Sequence, residues 1–442
     1  MAILMLAVLA VFVFIAYITG RKMFLSPWFL LCAMTFATFI IVLLNYQNWE
    51  VDISGKFILY LTTALGAFGV GTAMINLTQK REVKHSAVLA LKDVQYKKSY
   101  PANLFLILSL LLAVFYIVKL IADSTGNSFG EMLRDIYNKT ANEDYSPGLI
   151  FNQFFQVVRA IAYINTFRLF LKFFSKSDKI SFIKIIIPII IFFVAALITT
   201  DRNIFLRYGI YFVCLWMFFY YNNFDYKKGK KINVRIIFGL VVMAAVIFLL
   251  FFIMGKMKQY TSDFTVSLSI YGGSGLNNFN IWINNFDGQL KYGQSTFTQL
   301  ITTIGAILKP FGISLQGSVN RIDPFIEYTS ANGYFYSSNI YTALKPFVED
   351  FGYFGVIIFP FLIGLFYQWL YVKAIKNKYS FSWIVYSFLI YPIIFFPILE
   401  QLFRRFHLGF IYELVWPLII YVLVFGRNKI RVLNEKNCIQ RN

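Results

Sequence analysis

Residues 337–367 read SSNIYTALKPFVEDFGYFGVIIFPFLIGLFY. The first half is polar and the second is an apolar run, so the stretch joins a long hydrophilic loop, 255–350, to a membrane helix. That loop is the one large polar segment in an otherwise apolar chain. Loops held by a rigid scaffold carry function more often than cores do, which makes this one the expected working part. Its Asp350-Phe351-Gly352 triplet is not a kinase signature, because no glycine-rich phosphate loop precedes it and an apolar run follows it directly.

Outward from that junction, the composition excludes a water-soluble domain. The 442 residues are 58% hydrophobic and 14% charged, against about 25% charged in soluble domains. Aromatic residues make up 20%, with 51 Phe and 29 Tyr, as suits lipid contact and interfacial anchoring. Cys32 and Cys214 lie in apolar runs and Cys438 near the C-terminus, with no spacing for a disulfide framework or a zinc site. With His85 and His407 as the only histidines, a His-based metal centre is not expected.

A helix needs about 20 apolar residues to span a bilayer. Eleven runs qualify: 3–19, 24–44, 57–77, 103–122, 149–170, 185–200, 203–221, 236–254, 351–372, 381–399 and 410–425. The fold class is therefore an all-α polytopic membrane protein, one domain over 1–442 with about eleven transmembrane helices and the elaborated loop at 255–350. Lysine and arginine crowd alternate connections, among them Arg21-Lys22, Lys97-Lys98, Lys227-Lys228 and Lys373 to Lys378. The intervening connections carry Glu50, Asp52, Glu131, Asp135 and the large loop. Positive charge marks the cytoplasmic side, so the N-terminus and the loop face outward and the C-terminus faces inward. The net charge of +20 then lies mostly against anionic inner-leaflet lipid, and a nucleic-acid partner is not expected. Within the loop, 260–285 is rich in Gly, Ser and Asn, while 295–311 has apolar residues at near-helical spacing. The latter predicts an amphipathic helix, lying on the outer leaflet or packed on the membrane domain.

The residues that could carry chemistry are arginines where topology would not place them. Arg202, Arg207, Arg321, Arg404 and Arg405 fall at or near the outer face, and Arg159 sits inside a spanning run. A mid-membrane arginine faces the protein interior or a water-filled cavity, and serves either a ligand or an ion pair with a nearby carboxylate. Arg202 lies in the turn Thr199-Thr200-Asp201-Arg202-Asn203, where Thr199, Thr200 or Asp201 can cap the following helix. The exposed N–H groups of that helix start favour an anion, and guanidinium forks match phosphate oxygens. Arg404, Arg405 and His407 form a second cluster beside Glu400, with Glu413 a little further on. His407, Asp323, Glu327, Glu349 and Asp350 are the candidate general bases for a hydroxyl; Asp350 could instead cap the helix that follows it.

The run NIYTALKPFVEDFGYFGVIIFPFLIGLFY resembles the corresponding segment of bacterial oligosaccharide repeat-unit polymerases, the Wzy family of O-antigen and capsule polymerases. The matching residues are Asn339, Tyr341, Thr342, Asp350, Phe351, Gly352 and Gly355, and the 199–203 turn resembles that family's short outer turn carrying an arginine. The resemblance implies a GT-C-like glycosyltransferase at the outer face of the cytoplasmic membrane. Its partners would be undecaprenyl-pyrophosphate-linked oligosaccharide and membrane lipid, and it admits a flippase and a chain-length regulator as protein partners. It would use no nucleotide sugar, cofactor or metal. On this reading Arg202, Arg404, Arg405, His407 and Asp350 would be catalytic. Arg159, Arg207, Arg321, Asp323, Glu327, Asn339 and Tyr341 would bind substrate. An O-antigen ligase of the same architecture, or a flippase of lipid-linked oligosaccharide, is the alternative.

Overall fold

The computed structural model describes residues 1–20, 23–78, 102–141, 147–174, 181–223, 264–313, 323–329, 333 and 335–426. They are mostly helical: α1 (Ala2–Thr19), α2 (Pro27–Leu44), α3 (Gly55–Thr78), α4 (Ala102–Ala122), α5 (Phe129–Ala141), α6 (Leu149–Phe174), α7 (Phe182–Thr199) and α8 (Arg202–Asn223) come first. Then follow α9 (Phe264–Gly272), α10 (Ser274–Asn285), α11 (Thr298–Leu308), the strands β1 (Ile326–Thr329) and β2 (Phe335–Ser338), and the helices α12 (Leu344–Lys376), α13 (Phe381–Leu389), α14 (Tyr391–Phe395) and α15 (Leu408–Phe425). Nine described helices, α1–α4, α6–α8, α12 and α15, are long and apolar enough to cross a membrane. The chain is an all-α polytopic membrane protein, with one small antiparallel hairpin among the described residues.

Nine of the eleven apolar runs thus appear as long helices. Run 236–254 lies outside the described residues. Run 381–399 differs from expectation: it divides into α13 and α14 at Ile390, and residues 396–400 are not helical. Pro392 accounts for the division, since it lacks a donor and disfavours helix just before it. The large loop is also shorter than its composition indicates, because α12 begins at Leu344 rather than after Asp350.

The chain packs as two compact units. The first comprises Met1–Lys84, Ser262–Lys373 and Leu389–Phe410; the second comprises His85–Thr261, Ala374–Phe388 and Ile411–Asn442.

In the first unit α3 and α12 cross at two glycines. A Cβ on Gly71 would lie 2.3 Å from the Phe361 carbonyl oxygen, and one on Gly364 would lie 2.4 Å from that of Phe68. Small residues let apolar helices approach backbone to backbone, which replaces the missing hydrophobic drive in lipid. Asparagines tie α10 to the rest of the unit. Asn280 Nδ2 donates to Asp52 O at 2.6 Å, its Oδ1 accepts Ser54 N at 3.1 Å, and Asn278 Nδ2 donates to Ile340 O at 2.7 Å. The hairpin packs through Tyr328, whose hydroxyl donates to Asn278 Oδ1 and whose ring lies 4.6 Å from that of Trp49. The amphipathic helix expected at 295–311 is α11 with a following 3-10 turn. One side meets residues 403–406 (Phe297 and Phe403 centroids 5.4 Å apart), while Ile307 and Phe311 remain exposed.

In the second unit α6 is the interior helix. Of its spanning window 83% is buried, against 17% for α1, and it is the least hydropathic of the nine, at 1.2. A helix polar enough to avoid lipid is enclosed by its neighbours, here α4, α7 and α8. Arg159, Asn165, Thr166 and Arg168 are all buried along it, with Arg168 donating to Asn165 Oδ1 at 2.7 Å. Aromatic packing closes the unit, including Tyr163 on Tyr211 at 4.4 Å and Phe218 stacked on Trp383 at 5.2 Å. Helix α5, in the connection between α4 and α6, starts with a capping box. Ser128 Oγ accepts Glu131 N at 3.3 Å, while Glu131 Oε2 accepts Ser128 N at 3.2 Å and Asn127 N at 2.9 Å.

Candidate functional site

The start of α12 is built from polar contacts. Thr342 Oγ1 accepts Leu344 N at 3.0 Å, and Pro346 occupies the first turn, where a missing N–H costs nothing. Backbone contacts fix the preceding run, with Thr342 N donating to Gly275 O at 3.2 Å and Ala343 N to Phe396 O at 2.9 Å. Tyr341 is buried, and its hydroxyl donates to Pro324 O at 2.8 Å. That contact sets Asp323 against the first turn of α12.

There a chain of alternating charges forms within the first unit. Lys345, 1% exposed, places Nζ 2.5 Å from Asp323 Oδ1 and 3.5 Å from Glu349 Oε1. Its ammonium lies 4.1 Å from the Tyr341 ring centroid and 5.5 Å from that of Trp282, a cation–π setting that offsets part of its desolvation. Arg404 Nη2 reaches Asp323 Oδ2 at 3.6 Å, and Lys291 Nζ reaches Glu349 Oε2 at 3.8 Å. The order is Arg404, Asp323, Lys345, Glu349, Lys291. The middle three are buried, and the side chains of Arg404 and Lys291 are 53% and 50% exposed.

Glu400 shapes the end that carries Arg404. Its carboxylate accepts Leu402 N at 2.6 Å, Phe403 N at 2.8 Å and Arg404 N at 3.0 Å, closing the 3-10 turn Phe403–Arg405. Burial raises its pKa above the ordinary 4.5 despite those donors and the Arg404 charge. The turn leaves Arg404 exposed and buries Arg405, whose guanidinium lies over the Phe410 ring at 4.8 Å. His407 follows, half-buried, with its backbone N–H on Arg405 O at 2.7 Å.

Asp350 is fully buried, and its carboxylate accepts Ser295 N at 3.0 Å and Thr296 N at 2.5 Å. It lies in the second turn of α12 and does not cap that helix; it pins the segment leading into α11 instead. Gly352 then breaks the helix with φ 60° and ψ −143°, a region open essentially to glycine alone. At Gly355 a Cβ would lie 2.1 Å from Phe347 O. Three residues of the Asp-Phe-Gly-x-x-Gly run therefore have a definite structural task.

Of the residues singled out in the sequence, Asp323, Tyr341, Glu349 and Arg404 come together in this cluster. Asn339 is half-buried just before Tyr341, and Glu327 is exposed on β1 opposite Ser337. Arg321 lies outside the described residues. Arg159, Arg202 and Arg207 belong to the second unit. Arg159 Nη2 pairs with Glu413 Oε1 at 2.8 Å and also donates to Gln156, so this arginine serves an ion pair with a carboxylate. Asp201 caps α8, accepting Asn203 N at 2.9 Å, after Thr200 ends α7 in the left-handed region at φ 58°. Arg202 opens α8 and Arg207 lies further along it, both half-buried. Tyr116 lies within electrostatic reach of both Arg159 and Asp201. No group of three or more His, Cys, Asp or Glu side chains suited to a metal occurs among the described residues.

Lys345 and Lys291 were not anticipated. The signal for Lys345 is the i,i+4 spacing to Glu349, which puts both on one face of a helix that begins before Asp350. Lys291 carried no comparable signal. Comparison with family models, curated proteins and solved structures finds no match to this chain.

Proposed function

We propose that the chain is an oligosaccharide repeat-unit polymerase of the bacterial cytoplasmic membrane. It transfers a growing undecaprenyl-pyrophosphate-linked glycan onto a lipid-linked repeat unit at the outer face, within a GT-C-like architecture. The observation that carries this reading is the gathering of Asp323, Tyr341 and Arg404 around Lys345, at the start of the helix that follows the Asn-x-Tyr-Thr residues and holds the Asp-Phe-Gly-x-x-Gly residues. Departure of a pyrophosphate from an anomeric carbon builds negative charge on its oxygens, and fixed cations stabilise such charge without reorganising. Arg404, in the first unit, is the cation assigned to that task. His407 or a carboxylate of the cluster assists the acceptor hydroxyl. The charge distribution of the connections supports the orientation.

The test is the surface glycan of a deletion strain with and without the gene. A long ladder restored by the wild type and lost with Arg404→Ala at equal protein level is the expected result. Finished lipid-linked polymer that never reaches its acceptor would make the chain a ligase, and lipid-linked units trapped inside would make it a flippase.

A further inference from the structure

We infer that α11 is a membrane-interface helix, with the stripe Leu300, Ile304, Ile307 and Phe311 resting on bilayer lipid. Lipid contact there does not depend on the polymerase reading. The four positions recur at i, i+4, i+7 and i+11, so they share one face of α11 and the turn that follows it. All four are exposed, and exposure rises along the helix from 37% at Leu300 to 77% at Phe311. Thr298, Gln299 and Thr302 make the other side polar. The helix α5, also amphipathic and also in a connection, turns its apolar Leu133 and Ile136 into protein instead. Protein holds α11 only along one margin. Phe297 meets Phe403 at 5.4 Å and Phe359 at 5.8 Å, and Thr303 Oγ1 donates to Phe406 O at 3.4 Å.

Phe359 gives the depth of that contact. Lys373 lies over the Trp369 ring at 4.9 Å, a basic and aromatic pair of the kind that anchors a span at the bilayer boundary. A span of about 20 residues counted back from there starts at Tyr353, directly after the break at Gly352. Phe359 then lies about 9 Å inside the span, at a rise of 1.5 Å per residue. Interfacial helices bury their apolar face by about 5–10 Å at the headgroup–acyl boundary, which is the level where Phe297 brings α11 against α12. Beside Phe359, α12 exposes Phe354, Ile358 and Leu362, so the lipid-facing surface of the spanning helix runs up to the contact with α11. Lys309, exposed next to the stripe, can lay its stem on lipid and reach the headgroups. Phe403 packs on both Phe297 and Phe359, at 5.4 and 5.6 Å. An anchored α11 therefore clamps the turn carrying Arg404 to the bilayer boundary, where lipid phosphates lie.

The experiment uses the full chain with Cys438→Ser, in vesicles of phosphatidylethanolamine and phosphatidylglycerol; Cys32 and Cys214 stay, being buried. A nitroxide is attached at Ile307→Cys, Phe311→Cys or Thr302→Cys, all exposed positions that leave the core intact. Its collisions with oxygen, which concentrates in lipid, and with a water-soluble nickel chelate are measured. Labels at 307 and 311 are expected to meet oxygen, to be screened from nickel, and to lie about 5–10 Å below the phosphates. The label at 302 is expected to meet nickel. Nickel access at 307 and 311 equal to that at 302 puts the stripe in water and overturns the inference. Shielding from both reagents shows a protein cover, a second copy of the chain included, and overturns it as well. A label at Arg404→Cys is expected to lie shallower than those at 307 and 311; a deeper one overturns the placement of the turn. No glycan enters the measurement, so its result stands apart from that of the ladder.

Discussion

Arg159 and Glu413 meet at 2.8 Å with 9% and 7% of their side chains exposed, joining α6 to α15 inside the second unit. Breaking a buried pair leaves a charge without its partner, at a cost of about 3–5 kcal/mol. Glu413→Ala is expected to lower the apparent melting temperature sharply. The double variant Arg159→Met, Glu413→Leu, which removes both charges, is expected to recover most of the loss. If the double variant were as unstable as the single one, the pair would not be the reason for Glu413.

Gly352 gives a second test. Its φ of 60° with ψ of −143° costs other residues about 1–3 kcal/mol. Gly352→Ala is expected to destabilise the protein accordingly. Gly66→Ala is the control, because nothing lies within 4 Å of a Cβ there and alanine favours a helix over glycine by about 0.5–1 kcal/mol. Thermal unfolding of the two variants should move in opposite directions.

Asp350 is expected to act through the segment it pins. Asparagine in its place keeps one acceptor oxygen and turns an amide donor toward the other backbone N–H. Hydrogen bonds to a charged group contribute about 1.5–3 kcal/mol. Asp350→Asn should therefore speed amide exchange at Ser295 and Thr296, which donate to that carboxylate, and leave exchange in α1 unchanged.

The pH dependence follows from Glu400. Burial holds its proton to a higher pH than the ordinary 4.5, so the unfolded chain binds fewer protons as pH rises past that value. Stability from this group is fully present below 4.5 and is lost as pH rises through the raised value. As pH rises above 4.5 the wild type should lose stability relative to Glu400→Gln, which has no such group to titrate. A constant difference between their melting curves would exclude this linkage.

Hydropathy made the spanning helices legible, because lipid demands long apolar runs. It did not reveal where α12 begins. Lys345, Glu349 and Asp350 look like loop residues, yet the first two neutralise each other on one helical face and Asp350 is satisfied by backbone donors. Helices α9 and α10 were hidden by a composition of Gly, Ser and Asn that reads as turns. In the fold Asn278 and Asn280 reach residues far along the sequence, Ile340 and Asp52, which no local pattern encodes. For the site, the arginines were visible as charges out of place, while the carboxylates that hold them were not assigned. Pairing depends on tertiary approach: Arg404 and Asp323 are brought within 3.6 Å from distant parts of the chain.

The interleaving of the two units bears on how the protein is made. The first unit holds the opening 84 residues, yet it also needs Ser262–Lys373 and Leu389–Phe410. Helix α3 closes against α12 through Gly71 and Phe361, and the backbone of Ala343 waits for Phe396. A ribosome must therefore translate past residue 410 before the earliest helices can reach their final neighbours. Until then α2 and α3 must persist in the bilayer as independently inserted helices, and the late segments act as the clasp that converts inserted chain into folded protein.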